Sequence, residues 1–384
     1  MTRPTLATVK HQLSQLVACQ SVSSALPSLD QSNRGVIDLL ANWLEDLGFR
    51  CEILPIEEQT NKANLLATLG QGSGGLVLAG HTDTVPYNAE KWQQDPFQLK
   101  EHNECWYGLG ATDMKGFFPV ALAAAAQFKS EQLTAPLMIL ATADEESSMC
   151  GARALVEQGR PKGRYAVIGE PTSLRPVRAH KGIMMEAIRI TGQAGHSSNP
   201  SLGRNALEDM HLVLAELLAF RGELQRQYQN PLFEINYPTL NPGYIHGGDN
   251  PNRICGHCEL HFDLRPLPGM DLVQLRGLIE TRLGKLQQAS GMAIQFESLF
   301  PGVPAYEQAQ NSALVAAAEK LTGFNAEAVA FATEAPFLQQ LGHETIVMGP
   351  GSIDQAHQPN EFIAISQIDP AIHTVTGLIR QFCL

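Results

Sequence analysis

Several things are missing from this 384-residue chain. It has no uninterrupted apolar run of the roughly 18 residues that a membrane span needs. Its first residues, MTRPTLATVKHQLSQLVACQ, hold neither an apolar core nor a small-residue cleavage site. No secretory signal or membrane partner is therefore expected, and the cytoplasm is the expected location. Basic residues are few beside acidic ones, 27 against 39, for a formal net charge of -12. That disfavours a nucleic-acid partner, which needs a basic footprint, and would suit a small cationic substrate. Cysteine is sparse: the seven present are odd in number and scattered. They read as reduced thiols and not as a disulfide framework. Cys255 and Cys258, followed by His261, offer too few ligands for a structural zinc site, which wants four. Internal repeats, low-complexity segments and long linkers are also missing. GQGSGG at residues 70–75 is too short for a phosphate loop and reads as a hairpin turn.

What is there begins with 44% hydrophobic residues, enough for a large core. The length suggests two domains. Val9, Leu13, Leu16 and Val17 share one helical face, as do Val36, Ile37, Leu40, Trp43, Leu44 and Leu47, after which Gly48 is a stop. The short apolar runs CEILPI, NLLATL, LVLAG, LMILATA, YAVIG and TIVMG have strand length. Strands separated by helices predict an α/β fold with a mixed, largely parallel sheet flanked by helices. After about residue 180 the pattern changes. Strand, helix, two strands, helix and strand follow one another, the order of a ferredoxin-like α+β unit. Residues 181–299 therefore read as an inserted domain, with 1–180 and 300–384 forming the other.

Acidic and imidazole residues sit where the apolar runs end. His81 and Asp83 close LVLAGHTD, two apart and so on one side of an extended segment. A ligating imidazole needs a partner to fix its tautomer, which Asp83 could be; a solvated strand-end turn would look the same. Asp113 lies in a Gly-flanked turn before FFPVALAAAA, where it could bridge two cations or cap a helix. Glu145 and Glu146 follow LATAD; one could hold a metal while its neighbour takes a proton from water. Glu170 follows YAVIG directly, and His357 comes shortly after TIVMGPG. Each signal is modest alone. Together they read as a two-metal hydrolytic site at the carboxyl ends of strands.

The strings HTDTVP, GLGATDMKG, DEES, GEPT, GHSS and AHQPNE resemble the M20 metallopeptidase and deacylase family over nearly the whole chain. The resemblance implies a di-metal hydrolase domain with the inserted unit serving as lid and dimerisation domain. It implies two divalent ions, zinc first and cobalt next. One would take His81, Asp113 and Glu170, the other Asp113, Glu146 and His357. Glu145 would be the general base and Asp83 the support of His81. The peptide after the bridging aspartate, Asp113–Met114, would be cis. His196 in GHSS would reach a partner subunit's site and hold the oxyanion, so a homodimer is expected. Asn252 and Arg265 would touch substrate, the guanidinium gripping its α-carboxylate unless it serves a structural ion pair. Longer strings, among them YGLGATDMKGFF, IGEPTSLRPVRAHKG and TEAPF, are similar to one branch of that family. The implied substrate is a small N-acyl amino acid, N2-acetyl-L-ornithine; Glu334 of TEAPF is placed to receive its side-chain amine or else to lie on a loop surface. Desuccinylases of succinyl-diaminopimelate, aminoacylases and carboxypeptidases of the family would share the same five ligands.

Overall fold

In a computed structural model, residues 5–57 and 59–384 are described. Residues 1–4, at the start of the expected first domain, lie outside them. The chain divides into two compact units. Unit 1 is Met1–Arg178 with Gln308–Glu327 and Thr333–Leu384, and unit 2 is Ala179–Glu307 with Ala328–Ala332.

Unit 1 opens with α1 (Leu6–Ala18) and α2 (Arg34–Asp46). α1 buries its expected stripe, Val9, Leu13, Leu16 and Val17, and α2 buries Val36, Ile37, Leu40 and Leu44 of its own, with Trp43 and Leu47 half-buried. Gly48 follows α2 with φ of 87°, a left-handed conformation that glycine adopts without a Cβ clash. Then come β1 (Arg50–Ile56), β2 (Gln59–Leu69), β3 (Leu76–His81), β4 (Lys100–His102) and β5 (Cys105–Tyr107). After them run α3 (Phe117–Ala125), β6 (Leu137–Thr142), α4 (Cys150–Gln158), β7 (Tyr165–Pro171) and β8 (Val177–His180).

Unit 2 holds β9 (Met184–Thr191), α5 (Ala206–Gln227), β10 (Thr239–Gly247), β11 (His257–Arg265), α6 (Leu272–Ser290), β12 (Ala293–Ser298) and β13 (Tyr306–Glu307). The remaining elements are α7 (Ala313–Thr322), β14 (Glu327–Val329), α8 (Ala335–Gln340), β15 (Glu344–Gly349), β16 (Phe362–Ala364) and α9 (Ile368–Cys383).

In unit 1 the strand order runs β1-β2-β6-β3-β7-β15. β6, β3, β7 and β15 are mutually parallel and nearly free of solvent, so they read as continuous apolar runs. β1 and β2 add an antiparallel flank. The loop at residues 70–75 is not the hairpin turn expected for it. β6 lies between β2 and β3 and pairs with both, so the loop spans two strand spacings. α3 and α9 pack on each other and on β3. Gly169 is required in β7, because a Cβ there would meet the Phe117 ring of α3 at 2.0 Å.

Unit 2 is a four-stranded antiparallel sheet of order β10-β11-β9-β12, the ferredoxin-like order, with its own core under α5 and α6. It runs past the expected limits of 181 and 299. Tyr306 and Glu307 pair antiparallel with His180 and Ala179, and that ladder draws both ends into the unit.

Candidate metal centre

The carboxyl ends of the parallel strands of unit 1 gather the acids and imidazoles. His81 ends β3, Glu145 and Glu146 follow β6, and Glu170 lies in β7. Asp113 stands in the turn before α3, and His357 in the loop after β15 with φ of 60°. All five expected ligands come together. His81 Nε2 is 3.1 Å from Asp113 Oδ1 and 4.0 Å from Glu170 Oε2. His357 Nε2 is 3.4 Å from Asp113 Oδ2 and 3.0 Å from Glu146 Oε2. The two oxygens of Asp113 thus face different imidazoles, with one glutamate beside each. Among the described residues, His81, Asp113 and Glu146 bring ligand atoms within 4.8 Å of one another.

Neighbouring groups fix this arrangement. His81 Nδ1 lies 3.0 Å from the Asp83 carbonyl oxygen and 3.6 Å from its carboxylate. It is the backbone of Asp83 that makes the shorter contact to the ring. The Asp83 carboxylate instead accepts the N–H groups of Glu145 and Glu146 at 3.3 and 3.1 Å. It therefore sets the loop that carries both glutamates. Glu361, fully buried, accepts three N–H groups, from Gly110, Thr112 and Asp113 at 2.9, 2.7 and 3.0 Å. The loop bearing His357 thereby grips the turn bearing Asp113. Lys115, also buried, donates to the carbonyls of Leu16 and Cys19 where α1 ends. The Asp113–Met114 peptide is cis. The sequence reading assigned no role to Glu361 or Lys115; their only signal was position inside the strings AHQPNE and ATDMKG.

The electrostatics ask for cations. With Nδ1 set against the Asp83 carbonyl, the Nε2 of His81 faces Asp113, where it can offer a lone pair to a cation or, when protonated, donate to the carboxylate. Burial opposes protonation of His81, yet Asp113, Glu170 and Asp83 outweigh it and hold the pKa well above the usual imidazole range. His357 is pushed up to about 10 by hydrogen bonds to Asp113 and Glu146. Burial, and then crowding by other carboxylates, drives Glu145 and Glu170 well above the ordinary carboxylate range. Burial raises Asp113 too, but the two imidazoles prevail and hold it low. Among the described residues, no lysine or arginine pairs with these acids. Divalent ions would supply the missing positive charge and reverse those shifts. Imidazole and carboxylate donors at this spacing fit two such ions, as zinc, cobalt or manganese would.

Of the other expected site residues, Glu334 is close enough for its charge to raise Glu145 and Glu170. His196, Asn252 and Arg265 belong to unit 2. His196 is exposed, and its Nδ1 accepts the Ser198 N–H at 3.2 Å, so the ring hydrogen sits on Nε2 and points away as a donor. Ser197 donates to the Asn252 carbonyl at 3.0 Å, which puts His196 and Asn252 on neighbouring segments. Arg265 Nε contacts both oxygens of Asp263 at 2.8 and 3.0 Å, the structural pair foreseen as its alternative. Glu334 is in unit 1 at the start of α8, buried. Its Oε2 accepts from Thr142 Oγ1 at 2.8 Å, its Oε1 has no hydrogen-bond partner, and burial raises its pKa to about 7. Cys258 lies in β11 and Cys255 before it, its Sγ on the His257 carbonyl. A cavity of about 760 Å³, lined in part by Arg50, Glu52, Arg160 and Lys162, opens at the amino end of β6 and contains none of the acid cluster.

Comparison with known proteins places this geometry. Residues 77–381 match the model of peptidase family M20/M25/M40. The acetylornithine deacetylase of Pasteurella multocida is 51% identical over 370 residues, 96% of this chain and 97% of that protein. That of Proteus mirabilis is likewise 51% identical, over 96% of this chain and 95% of its own length. Among solved structures, an M20 metallo-carboxypeptidase of Sulfolobus solfataricus superposes with a TM-score of 0.78 at 17% identity, covering 97% of this chain and 98% of that one. A dinuclear metal-binding M20 peptidase of Bacillus subtilis does so with a TM-score of 0.69 at 14% identity over 97% of each. These structural likenesses speak to the fold.

Proposed function

The chain belongs to peptidase family M20/M25/M40, a family of metal-dependent hydrolases, and we propose that it removes the acetyl group of N2-acetyl-L-ornithine. The observation that carries the hydrolytic reading is Asp113 with one oxygen toward His81 and the other toward His357. The substrate reading rests on relatives about half identical over nearly the full chain.

In this reading His81, Asp113 and Glu170 hold one divalent ion and Asp113, Glu146 and His357 the other, zinc or cobalt. The chemistry such ions would supply is polarisation of the amide carbonyl and acidification of water. Glu145 takes the proton from that water and delivers it to the leaving nitrogen. Its neighbour's N–H and its own, both held by Asp83, keep the carboxylate in place. His196, contributed by a second copy of the chain in a homodimer formed through unit 2, donates Nε2–H to the oxyanion. Asn252 contacts substrate, Arg265 does so through its terminal nitrogens while its Nε stays on Asp263, and Glu334 receives the side-chain amine. The products, ornithine and acetate, fit a cytoplasmic step of arginine biosynthesis.

The test is steady-state hydrolysis of a panel of N-acyl amino acids by metal-loaded protein. Acetylornithine should have the highest kcat/KM. Faster turnover of succinyl-diaminopimelate would overturn the substrate reading and leave the chemistry intact.

A further inference from the structure

The loop carrying Glu145 and Glu146 is held from behind by a buried ammonium. Lys62, in β2, is 3% exposed. Its Nζ donates to Asp144 Oδ1 at 2.6 Å and to Asp30 Oδ1 at 2.9 Å. Asp144 immediately precedes Glu145, is itself buried, and has φ of 56°, a left-handed conformation that disfavours residues with a Cβ. Its Oδ1 also accepts from Ser23 Oγ at 3.2 Å. Its carbonyl accepts the N–H groups of Ser148 and Met149 at 3.1 and 2.6 Å, folding the chain back after the two glutamates. Two residues along β2, and so on the same face, Asn64 accepts the Ala143 N–H at 3.1 Å and donates to the Gly151 carbonyl at 2.9 Å. β2 therefore grips the loop on both sides of Glu145 and Glu146.

Such a pairing is a poor device for stability alone. Desolvating a lysine and its carboxylates costs several kcal/mol per ion, and apolar packing of equal volume often does as well. What the pair offers is placement, since a charged hydrogen bond is short and directional. We propose that Lys62 is a positioning residue: through Asp144 it fixes where the Glu145 carboxylate stands beside the Asp113 cluster. This rests on the reading of Glu145 as the base.

The experiment compares Lys62→Met, Asp144→Asn, the double variant and Glu145→Gln, all metal-loaded. It uses whichever N-acyl amino acid the wild type turns over fastest, with metal content and thermal midpoint measured on each. Lys62→Met should lower kcat by about 10- to 100-fold, the usual effect of removing a group that orients the reacting ones. KM and metal content should be unchanged, and the double variant should be no slower than Lys62→Met alone. A folded Lys62→Met protein with wild-type kcat and only a lowered midpoint overturns the proposal, as does a loss of kcat that tracks lost metal. If Lys62→Met fails to fold, the double variant, which leaves no unpaired charge at Asp144, decides by the same kcat criterion. Wild-type turnover by Glu145→Gln would instead defeat the base reading itself. An inactive Glu145→Gln beside a fully active Lys62→Met defeats the positioning role alone.

Discussion

The two units treat buried acid in opposite ways. In unit 2, Glu186 is fully buried and meets Arg276 Nε at 2.8 Å and Ser298 Oγ at 2.7 Å. Asp209, also buried, takes two nitrogens of Arg204 at 2.6 and 2.9 Å. In unit 1, Asp113, Glu145, Glu146 and Glu170 crowd together with only imidazoles for company. Matched charge of the first kind serves the fold. Unmatched charge of the second kind is costly to bury, and its persistence marks a place reserved for cations. The comparison also separates Asp144 from its neighbours: Lys62 matches it, whereas Glu146 meets the His357 imidazole and, among the described residues, no lysine or arginine pairs with Glu145 or Glu146.

The largest break in that comparison should come from Asp113→Asn. Asparagine keeps the shape and removes the charge that both ions would share. Metal analysis should find both ions lost and hydrolysis at background, with the fold retained by circular dichroism. Retention of both ions by this variant would contradict the bridging role. His196→Ala should act differently, since the residue is exposed and far from the cluster in sequence. Removing one oxyanion donor typically costs about 10² to 10³ in kcat, and the metals should stay. Near-normal kcat in His196→Ala would refute the role.

Arg276→Met makes the matching test in unit 2. It strands Glu186 without its cation, and breaking a buried pair in this way costs about 3–5 kcal/mol. Urea unfolding should register that loss, while the folded fraction keeps its metals and its kcat. A change in metal content on breaking this pair would erase the distinction between the two kinds of acid.

Much of this was legible in the residues because parallel buried strands are uniformly apolar. A polar residue such as His81 or Glu170 then stands out where the strand stops. The ferredoxin-like unit was legible for a related reason: its helices and half-exposed strands have different periods. Strand order was not, since β2 and β3 are consecutive yet separated by β6, and pairing across tens of residues leaves no local trace. The work of Asp83 was only half visible. That an acid stood near His81 could be read; that its carbonyl makes the closest ring contact while its carboxylate holds another loop could not. Glu361 was hidden for the same reason, because its partners are backbone N–H groups some 250 positions away. Backbone groups have no identity in a sequence.

The smallest predicted effect concerns a buried histidine of unit 2, whose shift is led by burial. His180, in unit 2, is fully buried, stacks beside Tyr306 with ring centroids 5.2 Å apart, and has its Nδ1 2.8 Å from the Lys181 carbonyl. Burial pushes its pKa down to about 4 from 6.5. Above pH 6.5 both folded and unfolded forms hold it neutral, so it costs nothing. As pH falls from 6.5 toward 4 only the unfolded chain takes up the proton, and stability drains away across that window. At pH 5.5 the loss is about 1 kcal/mol, from one pH unit below the unfolded value. The imidazoles of the acid cluster, His81 and His357, titrate too, so the wild type alone cannot isolate His180. Unfolding of wild type and His180→Gln, compared at pH 7.5 and 5.5 with the metals removed from both, isolates it. The variant, whatever its stability at pH 7.5, should lose less on acidification. Equal losses in the two proteins would mean that His180 takes up its proton in the fold as readily as in the unfolded chain.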